Sequence, residues 1–101
     1  MAAKGYWLGR VTVNDQAAYD EYRKLNAAPF AKFGGRFIVR GGRSERILGM
    51  ARPHNVVLEF PSYEAALACF HSPEYQAASQ HLKRGCDVDL IIIEGYEGEQ
   101  P

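Results

Sequence analysis

The chain has 101 residues, with 12 Lys and Arg balanced by 12 Asp and Glu and an apolar content of 47%. That balance excludes the basic field that attracts nucleic acid or an anionic membrane. No apolar run approaches the ~18 residues that a membrane-spanning helix requires. The opening stretch "MAAKGYW" lacks signal-peptide shape, so the expected compartment is the cytoplasm. Cys69 and Cys86 are too few for a disulfide scaffold and lack zinc-ligand spacing, so they read as reduced packing thiols. The length suits a single domain over 1–101, with an ordered core over about 4–96.

In chain order, "GYWLGRVTV" (5–13) reads as a strand, rich in aromatic and β-branched residues and ended by Asn14-Asp15. Either of those two residues suits the cap of the helix that follows. Tyr19, Tyr22, Asn26, Phe30 and Phe33 recur at helical spacing and predict a buried aromatic stripe. Pro29 predicts a kink or break near Asn26, and Gly34-Gly35 ends the helix. "RFIVR" (36–40) is a second strand. The long connection "RSERILGMARP" follows, in which 44–48 is a candidate short extension. "HNVVLEF" (54–60) is a third strand. Ser62 caps a helix that stops at Phe70-His71-Ser72-Pro73, and Ser72-Pro73 opens another at once. Gly85 closes it, and "DVDLIIIEG" (87–95) is the last strand.

Strand, helix, strand, strand, helix pair, strand is the order of a ferredoxin-like α+β fold, a βαββαβ protomer with a four-stranded antiparallel sheet. Right-handed crossovers place the first and third strands side by side, expected parallel to each other, with the last strand beyond the first. Alternation sorts the faces. Trp7, Gly9, Val11, Val13, Phe37, Val39, Val56, Leu58 and Phe60 are assigned to the helix-covered core. Leu8, Ile38, Val57 and one side of "LIII" make an apolar patch on the opposite face, which a homodimer stacking two sheets would cover. On that face an Arg10–Glu59–Arg36 cluster is expected. It reads as an ion network fixing dimer register, or as a spot for a carboxylate ligand.

The segments "GYWLGRVTVNDQAAYDEY", "FAKFGGRFIVRGG" and "VVLEFPSYEAALACFHSPEYQAA" resemble the DUF1330 family, a branch of the dimeric α+β barrel superfamily, from Gly5 to Tyr96. The resemblance implies a dimer in which two sheets pack into a barrel, and no established reaction. Other branches of that superfamily include cofactor-free monooxygenases, haem-degrading monooxygenases, muconolactone isomerases and ligand-sensing domains. Enzymes among them often use a pocket between helices and sheet.

Such a pocket here would be lined by Trp7, Tyr19, Tyr22, Phe30, Phe70 and Tyr75, which suits a flat apolar ligand, although plain core packing accounts for the same residues. His71, at the helix break, and Tyr22 are the candidate catalytic pair. His54 is expected to be exposed. Arg10, Arg36 and Glu59 complete the candidate ligand-binding set. No metal-ligand spacing occurs, and no cofactor is called for. "GGRFIVRGG" lacks the strand–GxGxxG–helix context of a nucleotide site. The reading is a cytoplasmic homodimer, a small cofactor-independent enzyme of monooxygenase or isomerase type acting on an apolar or aromatic acid. The alternative is a non-catalytic small-ligand-binding or structural dimer module.

Overall fold

The computed structural model describes residues 3–101. Met1 and Ala2, the start of the N-terminal stretch read above, lie outside the described residues. The elements are β1 (Gly5–Val13), α1 (Gln16–Lys32), β2 (Arg36–Arg40), β3 (His54–Phe60), α2 (Tyr63–His71), α3 (Pro73–Gly85) and β4 (Cys86–Glu94). The sheet order is β2-β3-β1-β4. The expected neighbours are therefore in place, with β3 and β4 flanking β1.

One expectation about direction is corrected: β1 and β3 are antiparallel, with Gly5 opposite Phe60 and Val11 opposite His54. A crossover helix makes β1 and β2 point the same way, and the β2–β3 return then reverses β3. Every neighbouring pair in the sheet is antiparallel. A second correction concerns closure. The sheet is open, with β2 and β4 as its edges and no ladder joining them, so the chain does not form the barrel that the resemblance implied.

The helix ends follow the local chemistry. Asp15 accepts from the Ala18 amide at 3.2 Å, and Ser62 from the Ala65 amide at 3.0 Å. Ser72 serves twice, because its hydroxyl donates to the Cys69 carbonyl at 2.8 Å and accepts from the Tyr75 amide at 3.2 Å. It thereby ends α2 and starts α3, with Pro73 at the first helical position. The break near Asn26 is absent: α1 continues through Pro29 to Lys32. Pro29 lacks the amide that would bond the Leu25 carbonyl, and its ring is fully buried in the core. Residues 44–48 add no strand to the sheet.

All three helices lie on one face, where Trp7 is the hub of the core. Its ring meets Phe30 edge-on at 5.3 Å and Tyr75 at 4.9 Å, and it leans on Phe60 at 5.6 Å. Its indole N–H donates to the Ala66 carbonyl at 2.9 Å, so the buried polar atom is satisfied.

A β-bulge between Phe37 and Val39 alters the expected alternation in β2. Phe37 stands opposite Leu58, but Val39 stands opposite Val57 and Arg40 opposite Val56. The extra residue swaps the parity of everything after it. Val39, assigned above to the core, is instead 43% exposed. Arg40, which strict alternation would send to the other face with Arg36, turns to the helix side and lays its guanidinium 4.1 Å from the centre of the Phe37 ring.

Candidate active site

Between the helix layer and the sheet lies a cleft of about 180 Å³. Its floor comes from Trp7, Gly9 and Val11 of β1, Val56 and Leu58 of β3, and Val88 and Leu90 of β4. Gly9 helps to explain the space, since a Cβ there would come within 3.0 Å of Val56. Helix α1 supplies Tyr19, Tyr22, Arg23, Asn26 and Phe30, and α3 supplies Tyr75 and Leu82.

The polar centre of the cleft is a tyrosine pair. The Tyr22 and Tyr75 hydroxyls are 2.9 Å apart and buried. Burial pushes the Tyr22 phenol up to about 12, against a weaker opposing effect of hydrogen bonds from Tyr75 and Asn26. Burial raises Tyr75 further, and the neighbouring Tyr22 adds to the effect. Both phenols therefore stay protonated at neutral pH and serve as hydrogen-bond donors or acceptors, not as bases. The Asn26 side chain, 5% exposed, lies beside them.

Towards the mouth, the rings continue as a wall. Tyr19 stacks near Tyr22 at 6.1 Å and meets the edge of His54 at 5.6 Å. His54 is half-buried, in contrast to the exposed position expected from its place at the start of β3. Its ring sits against Gly41, where φ is +66° and a Cβ would come within 2.5 Å of the imidazole. Desolvation lowers the His54 pKa, and the nearby Arg23 and Arg40 lower it further. The imidazole is therefore neutral at pH 7 and able to accept a proton.

The structure brings Trp7, Tyr19, Tyr22, Phe30 and Tyr75 together in this cleft. Other candidates lie elsewhere. His71 is exposed at the end of α2, with its ring 5.2 Å from Phe70, and does not line the cleft. Phe70 backs Trp7 at 6.0 Å and borders a shallower groove between α3 and β4. Arg10 leaves the expected cluster: it stands opposite Asn55 and Asp89, whereas Glu59 stands opposite Tyr6. Arg10 and Glu59 would have been near each other only if β1 and β3 ran in the same direction. The Arg36–Glu59 half of the cluster is present, at 3.0 Å, and Tyr6 takes the vacated position by donating its hydroxyl to Glu59 at 2.9 Å. This ion pair belongs to the open face and not to the cleft. His54, Arg23, Arg40 and Asn26 were not singled out for the site by sequence reasoning. Asn26 and Arg23 carried a signal, since they fall on or beside the aromatic stripe of α1.

Residues 4–96 match the family described as the domain of unknown function DUF1330. The chain belongs to the DUF1330 family. No protein of curated function matches it by sequence. Among solved structures it is similar to a protein of unknown function from Rhodopseudomonas palustris, with 19% identity and a TM-score of 0.75, covering 97% of this chain and 86% of that one. It is also similar to SnoaB, a cofactor-independent oxygenase from Streptomyces nogalater, with 17% identity and a TM-score of 0.63, covering 96% of this chain and 97% of that one. At these identities the likeness is one of fold. Among the described residues no group of three His, Cys, Asp or Glu side chains is placed to hold a metal ion. None of their helices is long and apolar enough to cross a membrane.

Proposed function

We propose that the chain is a small enzyme that works without an obligatory cofactor on an apolar or aromatic molecule held in the helix-side cleft, with proton transfer as its first step. The observation that carries this reading is that a neutral His54 and a protonated Tyr22–Tyr75 pair line one aromatic cleft. His54 accepts a proton from an acidic C–H or O–H of the ligand. Tyr22 donates a hydrogen bond to the oxygen on which negative charge develops. Return of the proton to another carbon would be an isomerisation, and reaction of the electron-rich anion with dioxygen would be an oxygenation. The likeness in fold to a cofactor-independent oxygenase supports the second course.

The open face supports a homodimer. Ile38, Val39, Ile91 and Ile93 are each more than 40% exposed there, and the β2–β3 connection holds Ile47, Leu48 and Met50 at 82%, 91% and 90% exposure. A second copy stacked on this face would take these side chains out of water, and a net charge of zero sets no long-range repulsion against it.

Trp7 is the only tryptophan and lines the cleft, so it reports on occupancy. Titration with naphthols and naphthoates is expected to raise the melting temperature and change the Trp7 emission. The Tyr22→Phe variant is expected to bind more weakly. Neither signal moving with any of these probes would remove the ligand-site reading.

A further inference from the structure

We propose that Arg23 and Arg40 are the acid-recognition end of this cleft, so that its ligand is an aromatic carboxylate whose ring lies inward against Trp7 and the tyrosine pair and whose charge stays at the mouth. The proposal rests on the ligand-site reading above and names the ligand class.

Both guanidiniums line the cleft, and they also share a small hollow at its rim with Asp20 and Lys24. The other charges of that rim have partners. Lys24 lies 3.8 Å from Glu21, and Asp20 accepts the Gln16 amide at 2.8 Å. Neither Arg23 nor Arg40 forms an ion pair among the described residues. Each is instead steadied over an aromatic ring, Arg40 on Phe37 at 4.1 Å and Arg23 near Tyr19 at 5.9 Å. A guanidinium stacked on a ring face keeps its in-plane N–H fork free for a carboxylate.

The bulge in β2 strengthens the case. Strict alternation would send Arg40 to the open face together with Arg36, and the one extra residue turns it into the cleft. Bulges of this kind re-aim a side chain beside functional sites. The arginines that sequence reading allotted to a carboxylate, Arg10 and Arg36, are on the far side of the sheet. Arg23 and Arg40 take over that part beside His54. The groups facing His54 are Arg23 and Tyr19 of α1 and Arg40 of β2. A bound carboxylate would offset the two positive charges and make the imidazole easier to protonate, so binding should tighten as pH falls through the histidine range.

Isothermal titration with 1-naphthoate and its uncharged counterpart 1-naphthamide tests this. The wild-type protein is expected to prefer the acid by about tenfold or more, the scale of one charge-assisted hydrogen bond. Arg40→Gln and Arg23→Gln should each remove most of that preference, weakening the acid far more than the amide. Arg40→Lys should restore part of it, which separates charge from packing on Phe37. Equal affinities for acid and amide in the wild-type protein, or variants that weaken both probes alike, would overturn the acid end while leaving the cleft a ligand site. Binding of neither probe would overturn the ligand-site reading and this proposal with it.

Discussion

The two faces of this sheet are built from the same strands and reach opposite solutions. On the helix side, Trp7, Leu58 and Phe60 are no more than 2% exposed, and among the described residues every buried side-chain nitrogen and oxygen finds a partner. On the open side, Ile91 and Ile93 are 55% and 46% exposed, and the polar contacts include ion pairs at the surface, Arg36 with Glu59 and Arg52 with Asp89. The first face holds the fold together and encloses a cleft. The second leaves apolar side chains in water, the surface on which the proposed homodimer rests. The difference teaches that alternation alone assigns residues to faces, but only coverage decides what a face is for.

The sharpest way to break the contrast is at its hub. Trp7→Ala removes a ring that touches Phe30, Phe60, Phe70 and Tyr75, together with the hydrogen bond to Ala66. It is expected to cost about 3–5 kcal/mol of stability in urea denaturation, the range for a large aromatic deleted from a packed core. On the open face, Ile91→Glu should leave the fold intact but weaken self-association by more than about tenfold, as burying one unpaired carboxylate at an interface opposes assembly. Analytical ultracentrifugation reads this directly, and an unchanged sedimentation coefficient at every concentration would count against the proposed interface. Tyr22→Phe comes next, because it leaves the hydroxyl of Tyr75, a residue 1% exposed, without the partner it has at 2.9 Å. A loss of about 1–3 kcal/mol is expected, the cost of an unsatisfied buried group. A stability equal to wild type would mean that water enters the cleft and replaces the lost bond.

Much of this was legible before any coordinates. The caps Asp15, Ser62 and Ser72, the strand neighbours and the aromatic lining follow from residue types and from two periodicities, 3.6 and 2. The errors share a cause: each needed information that periodicity does not carry. The direction of β3 depends on counting reversals through the β2–β3 return, and taking it as parallel placed Arg10 beside Glu59 where Tyr6 belongs. The bulge in "RFIVR" has no glycine or proline to mark it, so strict alternation gives Val39 and Arg40 each other's faces. Reading His54 as a strand-opening residue beside Pro53 missed Gly41, which is distant in sequence and leaves room for the imidazole to lie over it. His71 drew attention through its place at the helix break. The break is explained by Ser72 and Pro73, and His71 there is exposed and does not line the cleft. Closure of the sheet was inferred from resemblance and not from the strands themselves, and the strands leave two free edges.

The smallest effects separate the two faces by pH. His54 in the cleft and Glu59 on the open face both have folded-state pKa values below their usual ones, of 6.5 and 4.5, but for different reasons. Desolvation and two arginines disfavour the charged imidazole, while hydrogen bonds from Arg36 and then Tyr6 favour the charged carboxylate. In each case the unfolded chain binds more protons than the folded one between the two pKa values. Each contribution is therefore complete above the unfolded value and is lost as pH falls through the folded one. The windows differ: His54 acts below about pH 6.5, and Glu59 only below about pH 4.5. Melting temperatures recorded from pH 8 to pH 3.5 should thus fall in two steps. His54→Gln should flatten the upper step alone, and Glu59→Gln the lower one alone. If His54→Gln left the upper step in place, His54 would not be the desolvated, neutral group that the proton-transfer reading needs.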